Sequence, residues 1–138
     1  MNNFNYEYLF LNEFNRTDDK DIYRYDIDNS TVLSITKPKY INYIELLPCS
    51  LSYDSLILYK KLYLSINELT DDHIKYHFIL YYNENTRLYH PANKYQSNPY
   101  SSVLTKNIIT IRVYDDNFNL INKIYNPLNL EFIINFKK

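Results

Sequence analysis

The chain has 138 residues, a formal net charge of −1 and one cysteine, which favours a single domain of moderate size. The near-neutral charge provides no broad electropositive surface for a nucleic-acid backbone. Cys49 has no second cysteine with which to form an intrachain disulfide. The sequence contains no glycine, so phosphate-binding loops, dinucleotide fingerprints and nucleophile elbows are absent. Turn positions with positive φ are therefore expected to fall to Asn and Asp.

The composition favours β-structure. Tyr and Phe occur 17 and 7 times, and Ile is abundant, whereas the best helix former, alanine, occurs only at Ala92. The first residues lack the basic start and continuous apolar run of a signal peptide, so the protein is not expected to be secreted. No stretch approaches the roughly 20 apolar residues that a membrane-spanning helix needs.

Residues 1–30 are predicted to form an N-terminal arm or edge strand that includes an acidic segment. Tyr6–Leu11 fits either a first strand or an arm, and Ile22–Ile27 fits a short edge strand. Five aspartates make this part of the chain acidic: Asp18, Asp19, Asp21, Asp26 and Asp28. The segment is interpreted as a solvated surface, with docking on a basic neighbour as the alternative.

Residues 31–138 are predicted to form an antiparallel β-sandwich domain. Apolar runs separated by polar turns indicate strands at Thr31–Thr36, Tyr40–Leu47, Ser55–Ile66, Ile74–Tyr82, Ile108–Tyr114 and Leu128–Phe136. The last two form the best-defined pair, and residues 83–105 are expected to be one long polar excursion with at most one short strand. About eight strands and no amphipathic helix predict an all-β sandwich, with a jelly roll favoured over an immunoglobulin-like topology.

The ionisable side chains give little support for catalysis or metal binding. Asp71, Asp72, His73 and His77 form the one imidazole–carboxylate cluster, but in a strand the two histidines would lie roughly 13 Å apart, too far for one metal ion. His90 is expected in an exposed loop. The Asp18-Asp19 and Asp115-Asp116 pairs are expected in turns, where Asp binds nearby backbone N–H groups. No enzyme, catalytic residue, metal or cofactor is predicted.

Four segments carry a resemblance to a known group of proteins: INYIELLP at Ile41–Pro48, LYLSINEL at Leu62–Leu69, ITIRVYDDNFNLI at Ile109–Ile121 and LEFIINF at Leu130–Phe136. In this order, with a long polar excursion between the second and third, they resemble the small jelly-roll capsid proteins of large double-stranded DNA viruses and their virophage-like relatives. Phe118 stands where those relatives carry a turn glycine, so Asn117 or Asn119 is expected to adopt the left-handed conformation.

The resemblance implies a structural virion protein, either a penton subunit or a minor capsid protein that cements larger capsomers. Its partners would be other capsid proteins, as copies of itself in a ring at a vertex or through the major capsid protein. Candidate interface residues are aromatic side chains in the first segment and in the polar excursion: Phe4, Tyr6, Tyr8, Phe10, Tyr89, Tyr95 and Tyr100. The first four suit strand addition to a neighbour, or equally an ordinary first strand of the same domain.

A lectin-like carbohydrate-binding module is the alternative. Tyr23-Arg24-Tyr25 and other tyrosines expected at the surface offer aromatic faces on which sugars stack, and β-sandwiches carry lectin sites. Unpaired bases stack on such rings as well. Nucleic-acid binding is disfavoured, because the chain lacks the excess positive charge on which such binding depends.

Overall fold

The computed structural model describes residues 6–12, 16–17, 22–26, 39–51, 59–71, 73–96, 103–105, 107–121 and 128–137. Within these ranges the regular secondary structure is β-strand apart from one 3-10 turn at Asn67–Leu69, and there is no α-helix. The strands are β1 (Tyr6–Leu11), β2 (Tyr23–Asp26), β3 (Lys39–Leu46), β4 (Ser50–Leu51), β5 (Lys61–Ile66), β6 (Phe78–Asn83), β7 (Leu88–Pro91), β8 (Tyr95–Gln96), β9 (Val103–Leu104), β10 (Ile108–Tyr114), β11 (Leu128–Asn129) and β12 (Phe132–Lys137).

The strands form two five-stranded antiparallel sheets. The first sheet has the order β1-β12-β3-β8, with β9 also pairing with β3, and the second has the order β2-β10-β5-β6-β7. The strand pairs are nested along the sequence. The outer pairs are β1 with β12 and β2 with β10, and the pairs β3 with β8 and β5 with β6 lie between them in the sequence. This nested order is that of a long hairpin wrapped into two sheets, an order consistent with the jelly roll favoured by the sequence. A small two-stranded sheet joins β4 to β11.

The core lies between the two sheets, because alternate side chains of each strand point inward. In the second sheet β10 alternates strictly, with Ile109, Ile111 and Val113 buried. Tyr25 of β2 joins the layers, since its hydroxyl donates to the Leu130 carbonyl at 3.2 Å and its ring meets Phe132 of β12 edge to face. The all-β sandwich predicted from the sequence is therefore confirmed.

Several predicted strands have different limits in the structure. The prediction of Ile108–Tyr114 matches β10 and that of Tyr40–Leu47 lies within one residue of β3. The run predicted from Ile74 becomes a strand only at Phe78, and Thr31–Thr36 lies outside the described residues. The excursion 83–105 contains three short strands, β7, β8 and β9, so the expectation of at most one was wrong.

The two strands predicted as the best-defined pair do not pair with each other. β10 lies in the second sheet between β2 and β5, whereas β12 lies in the first sheet between β1 and β3. The inward face predicted for the last strand is nevertheless confirmed where its side chains are described, because Leu130, Phe132, Ile134 and Phe136 are buried. Alternation fixes which face of a strand is buried, but it does not fix the neighbouring strand.

The 3-10 turn after β5 is tied to β10 by side-chain hydrogen bonds. The Glu68 carboxylate accepts from the backbone N–H of Thr110 at 2.7 Å and from the Thr110 hydroxyl. The Arg112 guanidinium donates to the Asn67 side-chain oxygen at 2.6 Å. These bonds hold the chain beside β10 as it passes from β5 to β6.

Candidate interaction surfaces

The outer face of the first sheet exposes aromatic side chains of β1. Leu9 and Leu11 point inward and are fully buried, whereas Tyr8 and Phe10 point outward and are 48% and 44% exposed. Tyr8 lies opposite Asn135 of β12, and Asn135 lies opposite Tyr43 of β3. The Tyr43 hydroxyl donates to the Tyr8 hydroxyl at 3.4 Å, so the two phenols meet across the middle strand.

A cation and a buried amide complete this face. The Lys94 ammonium lies 4.1 Å from the centre of the Tyr43 ring and 3.7 Å from the Glu45 carboxylate. Asn135 is fully buried, and its side-chain oxygen accepts from the Asn42 amide at 2.8 Å. Its own amide nitrogen has no hydrogen-bond acceptor among the described residues. A buried donor without an acceptor destabilises a fold by about 1–3 kcal/mol.

The outer face of the second sheet carries a larger aromatic cluster. We define the aromatic patch as Tyr63 of β5, Tyr76 before β6, Tyr114 of β10, and Phe118 in the turn after β10. Tyr63 lies opposite Tyr114 across the β5–β10 pair, and its ring contacts those of Tyr76 and Phe118 at 4.9 and 5.6 Å between centres. Tyr76 and Phe118 are each 41% exposed.

Lys61 borders the aromatic patch. Its ammonium lies 4.9 Å from the Tyr63 ring centre and 5.9 Å from that of Tyr81, which stands opposite Lys61 across the β5–β6 pair. The hydrogen bond to Tyr63 raises the pKa of this lysine, and Asp116 acts in the same direction. Lys61 therefore remains a cation throughout the neutral range.

Phe118 is presented by a turn with an unfavourable backbone conformation. Its φ is 61°, in the left-handed region, where a side chain larger than that of Gly or Asn is disfavoured. The Asp115 carboxylate accepts from the N–H groups of Asn117 and Asn119, both at 2.9 Å, as expected for an Asp in a turn. The Phe118 ring stacks on Tyr114, with centres 4.5 Å apart and planes 2° from parallel.

The expectation that Asn117 or Asn119 takes the left-handed position was therefore wrong. Arg87, in the turn between β6 and β7, has a φ of 57° and departs from the same expectation. Among the described residues, Phe118 and Arg87 have positive φ, and neither is Asn or Asp. In each of these turns, a polar side chain that precedes the residue with positive φ accepts hydrogen bonds from backbone N–H groups. Before Arg87, the Asn83 oxygen accepts from the N–H groups of Asn85 and Thr86.

Of the interface residues predicted in the polar excursion, Tyr89 and Tyr95 pack against the core. Tyr89 of β7 is fully buried, and its hydroxyl donates to the Tyr59 carbonyl. Burial raises the pKa of Tyr89 to about 12. Tyr95 of β8 is partly buried against the core, where its ring contacts His77 and Phe78. Because its side chain is fully buried, Tyr89 is removed from the interface candidates, and Tyr100 lies outside the described residues.

The first segment is part of the sandwich where it is described. β1 pairs with β12 over six positions, from Tyr6 opposite Lys137 to Leu11 opposite Phe132. Of the two interpretations of this segment, the structure agrees with an ordinary first strand, which lies at the edge of the first sheet. Phe4, the Tyr6 side chain and four of the five aspartates of the acidic segment lie outside the described residues. Asp26, the fifth, ends β2.

The histidines do not assemble a metal site in the described part of the chain. His73 is exposed in a loop, while both ring nitrogens of the buried His77 face backbone groups of Ile66 and Leu69. Residues 73–77 precede β6, so the strand geometry assumed for the two histidines was wrong. His90 lies in β7 and not in a loop, with its Nε2 atom 2.8 Å from the Thr86 hydroxyl. No group of three potential metal ligands occurs among the residues described.

Cys49 is a core residue. Its backbone exchanges two hydrogen bonds with Tyr89, and its thiol lies 3.9 Å from the Tyr89 carbonyl. Burial raises the pKa of Cys49 to about 12, so the reactive thiolate is suppressed in the folded protein.

Sequence reasoning missed the aromatic patch, although part of the signal was present. Inward-pointing Leu62 and Leu64 place Tyr63 on the outer face of β5, and the same alternation places Tyr114 on the outer face of β10. What the alternation does not show is that β5 and β10 are neighbours and that Phe118 folds back over Tyr114. Contacts of this kind depend on pairing between distant parts of the chain.

No protein-family model, curated protein or solved structure matches the chain. Among the described residues, no helix is long and apolar enough to cross a membrane.

Proposed function

We propose that this chain is a structural virion protein, a penton or minor capsid subunit that acts through contacts with other capsid proteins. The observation that carries the proposal is the display of aromatic side chains on the outer faces of both sheets of a jelly roll. Tyr8 and Phe10 on one face and Tyr76 and Phe118 on the other are each more than 40% exposed. Exposed apolar patches of this kind mark interaction sites on soluble domains.

The resemblance of β3, β5, β10 and β12 to capsid jelly rolls supplies the biological setting. A jelly roll by itself hosts many functions, so the choice of a shell protein depends on that resemblance together with the exposed faces. Two apolar faces on opposite layers of one subunit suit contacts with two different neighbours, as in a ring or a shell. The partners proposed are copies of this chain at a vertex or the major capsid protein.

Quantitative mass spectrometry of purified particles from the virus that encodes the chain tests this proposal. Co-purification at about 60 copies per shell, or about five per vertex, is expected for a penton, and a few hundred copies for a cement protein. Absence from the particles, combined with strong and saturable binding of the isolated chain to defined glycans, would favour the lectin-like alternative.

The double substitution Tyr8→Ser with Phe10→Ser tests the contribution of the first sheet's outer face. These side chains point away from the core, so the melting temperature is expected to change little, while incorporation into particles falls at least tenfold if they are central contacts. Glu84→Ser, in the exposed turn after β6, is the control and is expected to incorporate normally. Normal incorporation of the double variant would exclude this face as the interface.

A further inference from the structure

His77 is held by backbone groups in a way that requires a neutral ring. The Ile66 N–H donates to its Nδ1 at 3.0 Å, and its Nε2 lies 3.3 Å from the Leu69 carbonyl oxygen. Because a carbonyl only accepts hydrogen bonds, Nε2 carries the proton, and Nδ1 keeps the lone pair that Ile66 needs. The side chain is 6% exposed, so water does not offer Ile66 an alternative acceptor in the closed structure.

The same ring contacts the opposite sheet. His77 precedes β6 of the second sheet, and its backbone N–H donates to the Leu64 carbonyl at 2.8 Å. Its ring meets Tyr95 edge to face, with centres 4.7 Å apart and planes at 89°. Tyr95 belongs to β8, a two-residue strand that pairs with β3 in the first sheet. His77 thus connects the turn after β5 to the strand at the edge of the other layer.

In the part of the chain that the structure describes, few charged groups surround His77. The Asp71 carboxylate in the preceding loop acts on it through space and favours its cationic form, and the Tyr95 ring contacts it edge to face. Glu68 on the 3-10 turn is bonded to Thr110 of β10. Asp71 accepts from the N–H groups of His73 and Ile74, which lowers its pKa below the ordinary 3.8. Asp71 therefore stays ionised where histidine titrates.

We propose that His77 is an acid-sensitive latch between the two sheets, whose protonation breaks the bond to Ile66 and frees both the Asn67–His77 connection and β8. A proton on Nδ1 would face the Ile66 N–H with a second donor, and a cation would be enclosed in the core. The His77 ring must then leave its site, and Tyr95 of β8 loses its edge-to-face contact with that ring. The inference depends on the position of His77 alone and is independent of the proposed function.

The direction of the pH effect follows from burial. Burial lowers the pKa of His77 below its ordinary value of 6.5, with smaller opposing effects from Leu69 and Asp71. The open form binds a proton at the ordinary value, whereas the closed form binds it only at lower pH. The latch is therefore fully effective above about pH 6.5 and weakens as the pH falls through the lower pKa of the closed form, by up to about tenfold in the opening equilibrium per pH unit.

Amide hydrogen exchange of the whole chain, followed by NMR from neutral to mildly acidic pH, tests the latch. After correction for the intrinsic exchange rate, the protection of the Ile66 amide is expected to fall by up to about tenfold per pH unit below pH 6.5. The Ile134 amide, in the middle of the first sheet, is the internal reference and is expected to keep its protection. Equal loss at both amides would indicate global unfolding and overturn the proposal.

His77→Asn is the specific variant, because its side-chain oxygen can take the place of Nδ1 as acceptor without titrating. It is expected to abolish the acid response at Ile66, whereas His73→Asn, at an exposed position, is expected to retain it. A wild-type acid response in His77→Asn would refute the latch. Should that variant fail to fold, the wild-type protein provides the test. If His77 titrates at or above pH 6.5 while the Ile66 amide stays protected from exchange, the latch is refuted equally.

Discussion

Phe118 combines two unfavourable features at one residue. Its backbone is left-handed at φ 61°, and its ring is 41% exposed to solvent. A left-handed conformation costs a residue with a Cβ about 1–2 kcal/mol, and either neighbouring asparagine would occupy it more easily. Strained, exposed residues of this kind occur at functional sites, which makes Phe118 the strongest single candidate for a contact residue in the aromatic patch.

Comparison of Phe118→Asn with Phe118→Ala isolates the backbone cost. Both variants lose the stack on Tyr114, but Asn tolerates positive φ and Ala does not, so Asn is expected to be more stable by about 0.5–1 kcal/mol. Chemical denaturation measures the difference. At Arg87, whose φ is 57°, the Asn variant is likewise expected to be more stable than the Ala variant. At Asn117, where φ is not positive, Asn117→Ala is expected to be at least as stable as the wild-type protein. Equal stability of the two Phe118 variants would contradict the conformation described.

At the level of single elements, β12 has the most informative alternation. Phe132 is buried and contacts Tyr25 of the opposite sheet, whereas the next residue, Ile133, lies on the outer face opposite Phe10 and Glu45. These two adjacent residues therefore lie on opposite faces of the sheet, Phe132 in the core and Ile133 on the outer face. Substitutions at the two positions are a direct test of which face is buried.

Phe132→Asp is expected to prevent folding, because it places an unpaired charge between the sheets at a cost of about 4 kcal/mol or more. Ile133→Asp is the matched control and is expected to fold, with a loss of about 1–2 kcal/mol from reduced strand propensity and the Glu45 carboxylate opposite. Circular dichroism during thermal unfolding measures both. A normal melting transition for Phe132→Asp would mean that the strand faces the other way.

The strands themselves were predictable to different extents. A strict two-residue period identified β10 to the residue and gave the buried face of β12, because that period reflects a local property of the pleated chain. The short strands β7 and β8 were not found, since two to four residues are too few to show a period. For the same reason Tyr89 was expected at the surface, although pairing with Cys49 and β6 buries it.

The site was less predictable than the fold. Tyr8 and Phe10 were named as interface candidates from alternation in the first segment, and both are exposed on the outer face of the first sheet. The aromatic patch required knowledge of which strands are neighbours, and the turn at Phe118 required knowledge of a backbone conformation that the residue type argues against. Neither can be obtained from local sequence, because both depend on contacts made after the sheets have formed.

On the scale of the whole molecule, β1 belongs to the sandwich rather than to a detachable arm. Leu9 and Leu11 are fully buried, and β12 is paired with β1 on one side and β3 on the other. Removal of residues 1–12 would therefore uncover one edge of β12 and open the core beside it.

Deletion of residues 1–12 is expected to abolish the cooperative unfolding transition, with loss of the folded monomer and exposure of apolar surface to a hydrophobic dye. The Tyr8→Ser, Phe10→Ser double variant keeps the strand and its inward leucines, and it serves as the control that should still fold. A truncated chain that retains a sharp thermal transition would show that the sandwich closes without β1 and that the segment acts as an arm.

The nested pairing also has a consequence for how the protein is made. Because β12 fits between β1 and β3, the hydrogen bonds of β1 to β12 can form only after the much later β12 has been synthesised. Distant pairings of this type fold slowly, and a partly synthesised chain presents open sheet edges to its neighbours. During biosynthesis this protein should therefore depend on chaperones or low local concentration until β12 has been synthesised, and fragments ending before β12 should aggregate.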